Sequence, residues 1–254
     1  MARNTDSNLY TVLFAIAMVV VVGSLLAFTA SYLKPTITKN MKLEKQQNIL
    51  FAMGVNEATI TGDESDADSF VSSEYAATEF EKYITKQYYI EGTTATEDDQ
   101  AFLIDIKKES DKAKNDKYTR KLPLFIGEKE GEKFYIVPIR GVGLWDAIWA
   151  YVALNEDLET VKGAYFDHKA ETPGLGANIT EGYFRDDFQG ESLFSDGEFK
   201  GITVAKGNND PTNNDKTDNE VDAIAGATIT GDGVTAMIKK DLAMYLPYFN
   251  TLKK

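Results

Sequence analysis

Ser7 to Leu33 is a run of 27 residues without a charged side chain, and it constrains this chain more than any other feature. Its centre, Leu13–Phe28, is almost wholly apolar. About 20 apolar residues suffice for a helix to cross a bilayer, so the run is long enough to span with some tilt. Tyr10 and Tyr32 stand near its two ends, where aromatic rings favour the membrane interface. A buried core helix and a cleaved signal peptide are the competing readings. The run is long for a signal peptide and shows no clean A-x-A cleavage site, which favours a retained anchor. Lys34, Lys39, Lys42 and Lys45 follow it, with only Arg3 ahead of it. By the positive-inside rule alone, the C-terminal body would be cytoplasmic.

The charge balance narrows the chemistry of that body. The chain carries a net charge of −13, yet residues 1–33 are neutral in sum and 34–45 hold four lysines against Glu44, so residues 46–254 carry −16. A body this acidic repels phosphate backbones and anionic headgroups, which excludes nucleic acid as a partner. There is no cysteine, and His168 is the only histidine. Disulfides, thiolate catalysis and Cys-built or His-built metal sites are therefore not expected. No metal site and no catalytic residue is assigned; difficult chemistry would have to come from a cofactor.

Residues 34–53 read as a helix continuing off the membrane, with Leu43, Ile49, Leu50 and Met53 as a partial apolar stripe. Residues 55–120 are acidic, with Phe102–Ile106 as an expected strand. Phe134–Gly141, Asp146–Asn155 and Thr160–His168 read as successive strands of an antiparallel sheet, and Gly201–Gly207 as another. Asn208–Glu220 is a polar, turn-rich loop. Helical spacing predicts a terminal helix over Asp232–Phe249, capped by Asp232 or Thr230 and ended at Pro247. The expected divisions are an anchor over 1–33, a juxtamembrane helix and acidic α/β subdomain over 34–120, and a domain over 121–254.

Three glycine-containing segments carry the candidate chemistry. In GVGLW, Gly141–Trp145, two glycines one residue apart permit a tight turn and close backbone approach, with Leu144 and Trp145 as an apolar wall. A plain hairpin is the alternative. In ETPGLG, Glu171–Gly176, Pro173 and Gly174 fit the central positions of a type II turn, and Leu175 sits at its tip. In DAIAGATIT, Asp222–Thr230, small residues enter a helix whose free N–H groups and dipole would receive an anion beside Thr228. There the alternative is an ordinary capped helix start.

DAIAGAT resembles the acceptor motif of flavin transferases, D-x-x-[ST]-G-A-[TS]. Asp222, Gly226, Ala227 and Thr228 match; Ala225 stands where Ser or Thr is usual. With the anchor and the two turns in the same order, the chain resembles the family of C subunits of the sodium-translocating NADH:quinone reductases. The G subunits of Rnf-type ferredoxin:NAD complexes, which share the FMN-binding domain, are the alternative.

The resemblance implies an α+β fold: a single transmembrane helix, then a mainly antiparallel sheet with flanking helices that binds FMN. It implies FMN joined by a phosphoester to Thr228 by a flavin transferase, and electron transfer within a membrane assembly of several subunits. Membrane lipid and the other subunits would be its partners. Gly226, Ala227 and Thr230 would serve the phosphate. Thr172, Gly174, Leu175 and Gly176 would line one side of the flavin, and Gly143, Leu144 and Trp145 the other. Glu171 and Lys206 would be polar neighbours, Lys206 favouring the reduced ring. The family also implies a bacterial inner membrane location with the FMN domain outside the cytoplasm, against the charge reading.

Overall fold

The computed structural model describes residues 7–115, 117–208, 210 and 213–253. Arg3, Asp6, and Asn209, Pro211 and Thr212 of the polar loop lie outside them. Two compact units emerge, Met1–Leu43 and Glu44–Lys254.

The first unit is helical throughout its described part. One helix, α1 (Asn8–Ala52), runs unbroken through the apolar segment and the basic residues after it. Pro35 lies inside it. An interior proline removes one backbone hydrogen bond, so the helix passes through it at a cost. The Thr38 hydroxyl donates to the Lys34 carbonyl at 2.9 Å beside it. The apolar side chains are bare: Val19 is 72% and Phe28 is 71% exposed. That excludes the buried core helix. Among the described residues, α1 is the one helix long and apolar enough to cross a membrane.

The second unit begins with the end of α1 and continues through α2 (Glu57–Thr61), α3 (Ala76–Tyr83), β1 (Ile84–Glu91), β2 (Thr94–Glu97) and α4 (Ile106–Lys112). Next come β3 (Leu122–Lys129), β4 (Glu132–Val142), β5 (Ala147–Leu154), β6 (Val161–His168) and α5 (Gly182–Asp186). Four two-residue strands follow, β7 (Phe194–Ser195), β8 (Glu198–Phe199), β9 (Thr203–Val204) and β10 (Glu220–Val221). The chain closes with α6 (Thr228–Asp241) and α7 (Leu246–Leu252).

One six-stranded sheet in the order β2-β1-β3-β4-β5-β6 organises this unit, every neighbouring pair antiparallel. Alternate residues feed two cores. Val137, Ile139, Ile148, Ala150 and Phe166 pack with Val234, Met237, Ile238 and Tyr245. Ile136, Phe134, Tyr151 and Tyr165 pack with Ile49, Leu50 and Met53. Because helices cover both faces, the central strands are near-continuous apolar runs rather than alternating ones. The expected α+β architecture and its antiparallel sheet are what is found. The acidic stretch is part of it: β1 pairs with β3 from Ile84↔Gly127 to Ile90↔Leu122.

Four expectations are corrected. Phe102–Ile106 is not a strand: Ala101–Leu103 is a 3-10 turn, and Asp105 caps α4 by accepting from the Lys108 N–H at 3.1 Å. Phe102 packs its ring 5.5 Å from that of Phe80 instead. Gly201–Gly207 holds only β9, paired in parallel with β10 and apart from the main sheet. The terminal helix starts four residues early, at Thr228, with Ala227 as an N-cap that offers no side-chain bond, so neither Thr230 nor Asp232 caps it. Pro247 ends nothing; it sits in the first turn of α7, where its missing N–H costs no helix bond.

Candidate functional site

The turn between β4 and β5 is closed by the Gly143 N–H donating to the Asp146 carbonyl at 2.8 Å. It leaves Leu144 and Trp145 facing outward, Trp145 67% exposed. The second segment folds as expected from its proline and glycine. The Leu175 N–H donates to the Thr172 carbonyl at 3.1 Å, and Gly174 has φ +74°. In the third, Gly226 takes φ +72° and delivers the chain to the uncapped first turn of α6. The first N–H groups of a helix have no partner within it, so this end is open to an acceptor.

These segments converge on Glu171, which is buried. Its Oε1 accepts from the Trp145 N–H at 2.9 Å, and its Oε2 accepts from the Thr230 hydroxyl at 2.7 Å. The packing tolerates no extra carbon. A Cβ on Gly143 would stand 2.6 Å from Glu171 Oε1, and one on Gly176 would stand 2.5 Å from Glu171 Oε2 and overlap Thr230 Oγ1. A Cβ on Gly233 of α6 would overlap the Val142 carbonyl oxygen. Backbone contact of this closeness sets how near α6 stands to the β4–β5 turn.

Between the segments lies a cleft of about 260 Å³. Leu144, Glu171, Thr172, Leu175, Gly176, Gly226, Ala227, Thr228, Ile229 and Thr230 line it. Thr228 is exposed at its mouth, the first residue of α6. Gly143, Gly174 and Trp145 are not among the lining residues. Trp145 still steadies the wall, its indole N–H donating to Thr172 Oγ1 at 3.2 Å. Lys206 is exposed in the segment after β9 and is not in the lining, but that segment runs beside the third one: the Ala205 N–H donates to the Val221 carbonyl at 2.8 Å and the Ala223 N–H to the Gly207 carbonyl at 3.3 Å. Thr230 is also placed differently than expected: its hydroxyl is spent on Glu171, not left free for a phosphate.

Ile229 is the lining residue that the sequence reading passed over. It is 57% exposed, an isoleucine at the second position of a helix, between two threonines. An exposed apolar side chain beside a polar acceptor was the signal that could have found it.

Glu171 is the one ionisable side chain in the lining. Burial alone would raise its pKa. The Thr230 hydroxyl and the backbone N–H groups of the β4–β5 turn outweigh that and hold the carboxyl below its ordinary value. His168 is structural: its Nδ1 accepts from the Glu171 N–H at 3.2 Å.

The residues fit a flavin phosphate carrier. Thr228 is exposed, the helix end is uncapped, and Leu144, Leu175 and Ile229 offer apolar surface. Enclosed ligand pockets usually measure about 300–1,000 Å³, so this smaller cleft would leave part of an FMN ring in the open. A larger groove of about 530 Å³ runs past Glu132, Lys133, Asp157 and Lys162. It has mixed charges on loops and strand ends and none of the three glycine segments.

Residues 143–243 match the FMN-binding domain family, a range that includes all three segments apart from the first two residues of GVGLW. The C subunit of the Na(+)-translocating NADH-quinone reductase of Pseudomonas aeruginosa is 30% identical, covering 92% of this chain and 91% of its own. That of Vibrio anguillarum is 30% identical over 92% of this chain and 90% of its own. The crystal structure of the C subunit from Parabacteroides distasonis aligns with a TM-score of 0.70 at 31% identity, covering 85% of this chain and 96% of that one. With the fold, the order of its segments and near full-length similarity in agreement, this chain belongs to the family of C subunits of the Na(+)-translocating NADH-quinone reductases.

Proposed function

We propose that this chain is the FMN-carrying electron-transfer member of such a reductase, with FMN joined through its phosphate to Oγ1 of Thr228. The observation that carries the reading is the exposed Thr228 at an uncapped helix N-terminus, inside the cleft made by the three glycine segments.

The residues divide the work. Thr228 holds the phosphate by a covalent bond. The free N–H groups of the first turn of α6 and its dipole receive the phosphate charge, which a body of net −16 would otherwise repel. Gly226 and Gly176 leave room for backbone to approach. Leu175 with Thr172, and Leu144 with Ile229, flank the ring, and Trp145 braces Thr172. FMN, when bound, supplies the exchange of electrons; no side chain here is asked to move a proton. Part of the ring stays uncovered, which suits transfer to and from neighbouring subunits.

Covalent attachment suits an anchored carrier that cannot draw on a cytoplasmic FMN pool. We assign residues 1–33 as the membrane anchor, 34–120 as the juxtamembrane helix with the acidic α/β part, and 121–254 as the FMN-binding part. The amino terminus lies in the cytoplasm and the FMN part outside, in the bacterial inner membrane. A flavin transferase reading Asp222–Thr228 completes the protein. The charge distribution around α1 opposes this sidedness, so topology needs its own test. Because the chain lacks cysteine, a single cysteine placed at exposed Lys200 can be labelled from either side. Labelling of intact cells by an impermeant maleimide supports the orientation; labelling only after lysis refutes it.

Attachment is tested by making the chain with and without a flavin transferase and viewing a denaturing gel under ultraviolet light. Flavin fluorescence on the band only with the transferase is the expected result. A dark band in both refutes the covalent reading.

A further inference from the structure

The lining of the cleft contains one ionisable group, and it is an acid. Lys206, the cation that would have favoured a reduced ring, is not in that lining, although its neighbours Ala205 and Gly207 hydrogen-bond Val221 and Ala223 beside the third segment. Glu171 cannot swing away. It is buried, hydrogen-bonded through one carboxylate oxygen to Trp145 and through the other to Thr230, and boxed by Gly143 and Gly176. Its charge is therefore fixed in place, in surroundings poorer in water than bulk, where Coulomb interactions are stronger.

We propose that Glu171 is a positioning residue that locks the β4–β5 turn to the first turn of α6, and that its fixed negative charge lowers the midpoint potential of FMN held in this cleft. The inference rests on the FMN reading above and adds to it a sign for the electrostatics. An electron arriving on the ring adds negative charge beside a carboxylate that can neither move nor readily take a proton. Reduction is disfavoured, and the bound flavin is a stronger electron donor than the same cleft would make it with a neutral residue at 171. The donors around Glu171 neutralise part of that charge, so each one removed should deepen the effect.

The experiment uses the full chain made with a flavin transferase, as wild type, Glu171→Gln, Glu171→Asp and Thr230→Val. Intact mass reports flavin loading, and spectroscopic redox titration reports the midpoint. Glu171→Gln keeps side-chain size and one acceptor while removing the charge, and its midpoint should move to a more positive potential. Glu171→Asp keeps the charge and should stay near wild type. Thr230→Val keeps the carboxylate but removes one donor to it, and should move to a more negative potential. Should Glu171→Gln fail to fold, the sign of the Thr230→Val shift decides the matter. A loaded Glu171→Gln with the wild-type midpoint, or a loaded Thr230→Val shifted positive, overturns the proposal. Absence of a flavin increment on the wild type is a different failure, seen by mass before any titration, and it removes the FMN reading together with this one. The lock has its own readout without flavin: in the Thr228→Ala background, adding Glu171→Gln should lower the unfolding temperature, and an unchanged temperature contradicts it.

Discussion

The hydroxyl of Thr230 donates to the carboxylate of Glu171 at 2.7 Å, joining residues 59 positions apart in the chain. Glu171 lies just after β6, and Thr230 lies in the first turn of α6. The bond fastens the N-terminal end of that helix to the segment after β6, and the exposed Thr228 beside it is thereby held on a fixed support.

Replacing Thr230 by Val should cost about 2 kcal/mol at neutral pH, the usual scale for a hydrogen bond to a charged group. The sign of the pH dependence follows from the direction of the shift. The Glu171 carboxyl titrates below its ordinary value in the folded chain, so its contribution is complete above the unfolded value of about 4.3 and fades as pH falls through the lower folded value. Chemical denaturation of both forms from pH 7 down to pH 3 should show the gap narrowing below the ordinary carboxylate range. A gap that widens on acidification would be the wrong sign.

Glu191 should behave in the opposite sense. It is fully buried, Oε2 has no hydrogen-bond partner among the described residues, and burial pushes its pKa up to about 7. The Asn213 side chain donating to Oε1, and Lys216 at 3.9 Å, ease this; Asp218 and Asp215 add to it. The folded chain holds a proton there that the unfolded chain has lost, so stability falls as pH rises from about 4.5 toward 7 and levels off beyond. Glu191→Gln should flatten that slope, by up to about 3 kcal/mol across the interval. Unfolding free energies at several pH values check it, and parallel curves for the two proteins would refute it.

Glycines at 174 and 176 should respond differently to alanine. Gly176→Ala drives a Cβ against Glu171 and Thr230. Overpacking of this kind costs about 1–3 kcal/mol. It should also reduce flavin loading, because the added carbon forces apart the cleft lining at Glu171 and Thr230. At Gly174 a Cβ meets open space, and only φ +74° opposes it. The cost there is about 1 kcal/mol, with loading kept. Thermal melts and intact mass on the two variants separate the cases; equal loss of loading in both would mean that close packing at 176 is not what matters.

Much of this fold is legible in the sequence because its determinants are local. The uncharged run at Ser7–Leu33 and the apolar runs of β4, β5 and β6 announce themselves, as does the Pro173–Gly174 turn. What escapes is what depends on context. Phe102–Ile106 has strand composition, yet Asp105 spends its carboxylate on capping α4. Thr230 looks like an N-cap or a phosphate ligand, yet a residue 59 positions away claims its hydroxyl. Lys206 is absent from the cleft lining, yet the backbone on either side of it bonds Val221 and Ala223, a pairing that depends on residues far along the chain. In the site, the three glycine segments are visible in sequence, but the buried acid that ties them together is visible there only as one more polar neighbour.

Intact mass tests the central claim most directly, measured on the full chain made with a flavin transferase as wild type, Thr228→Ala and Thr230→Val. The predicted result is one FMN-sized increment on the wild type and on Thr230→Val, and none on Thr228→Ala. An increment that survives in Thr228→Ala, or one that disappears only when Thr230 is changed, would contradict attachment at Thr228.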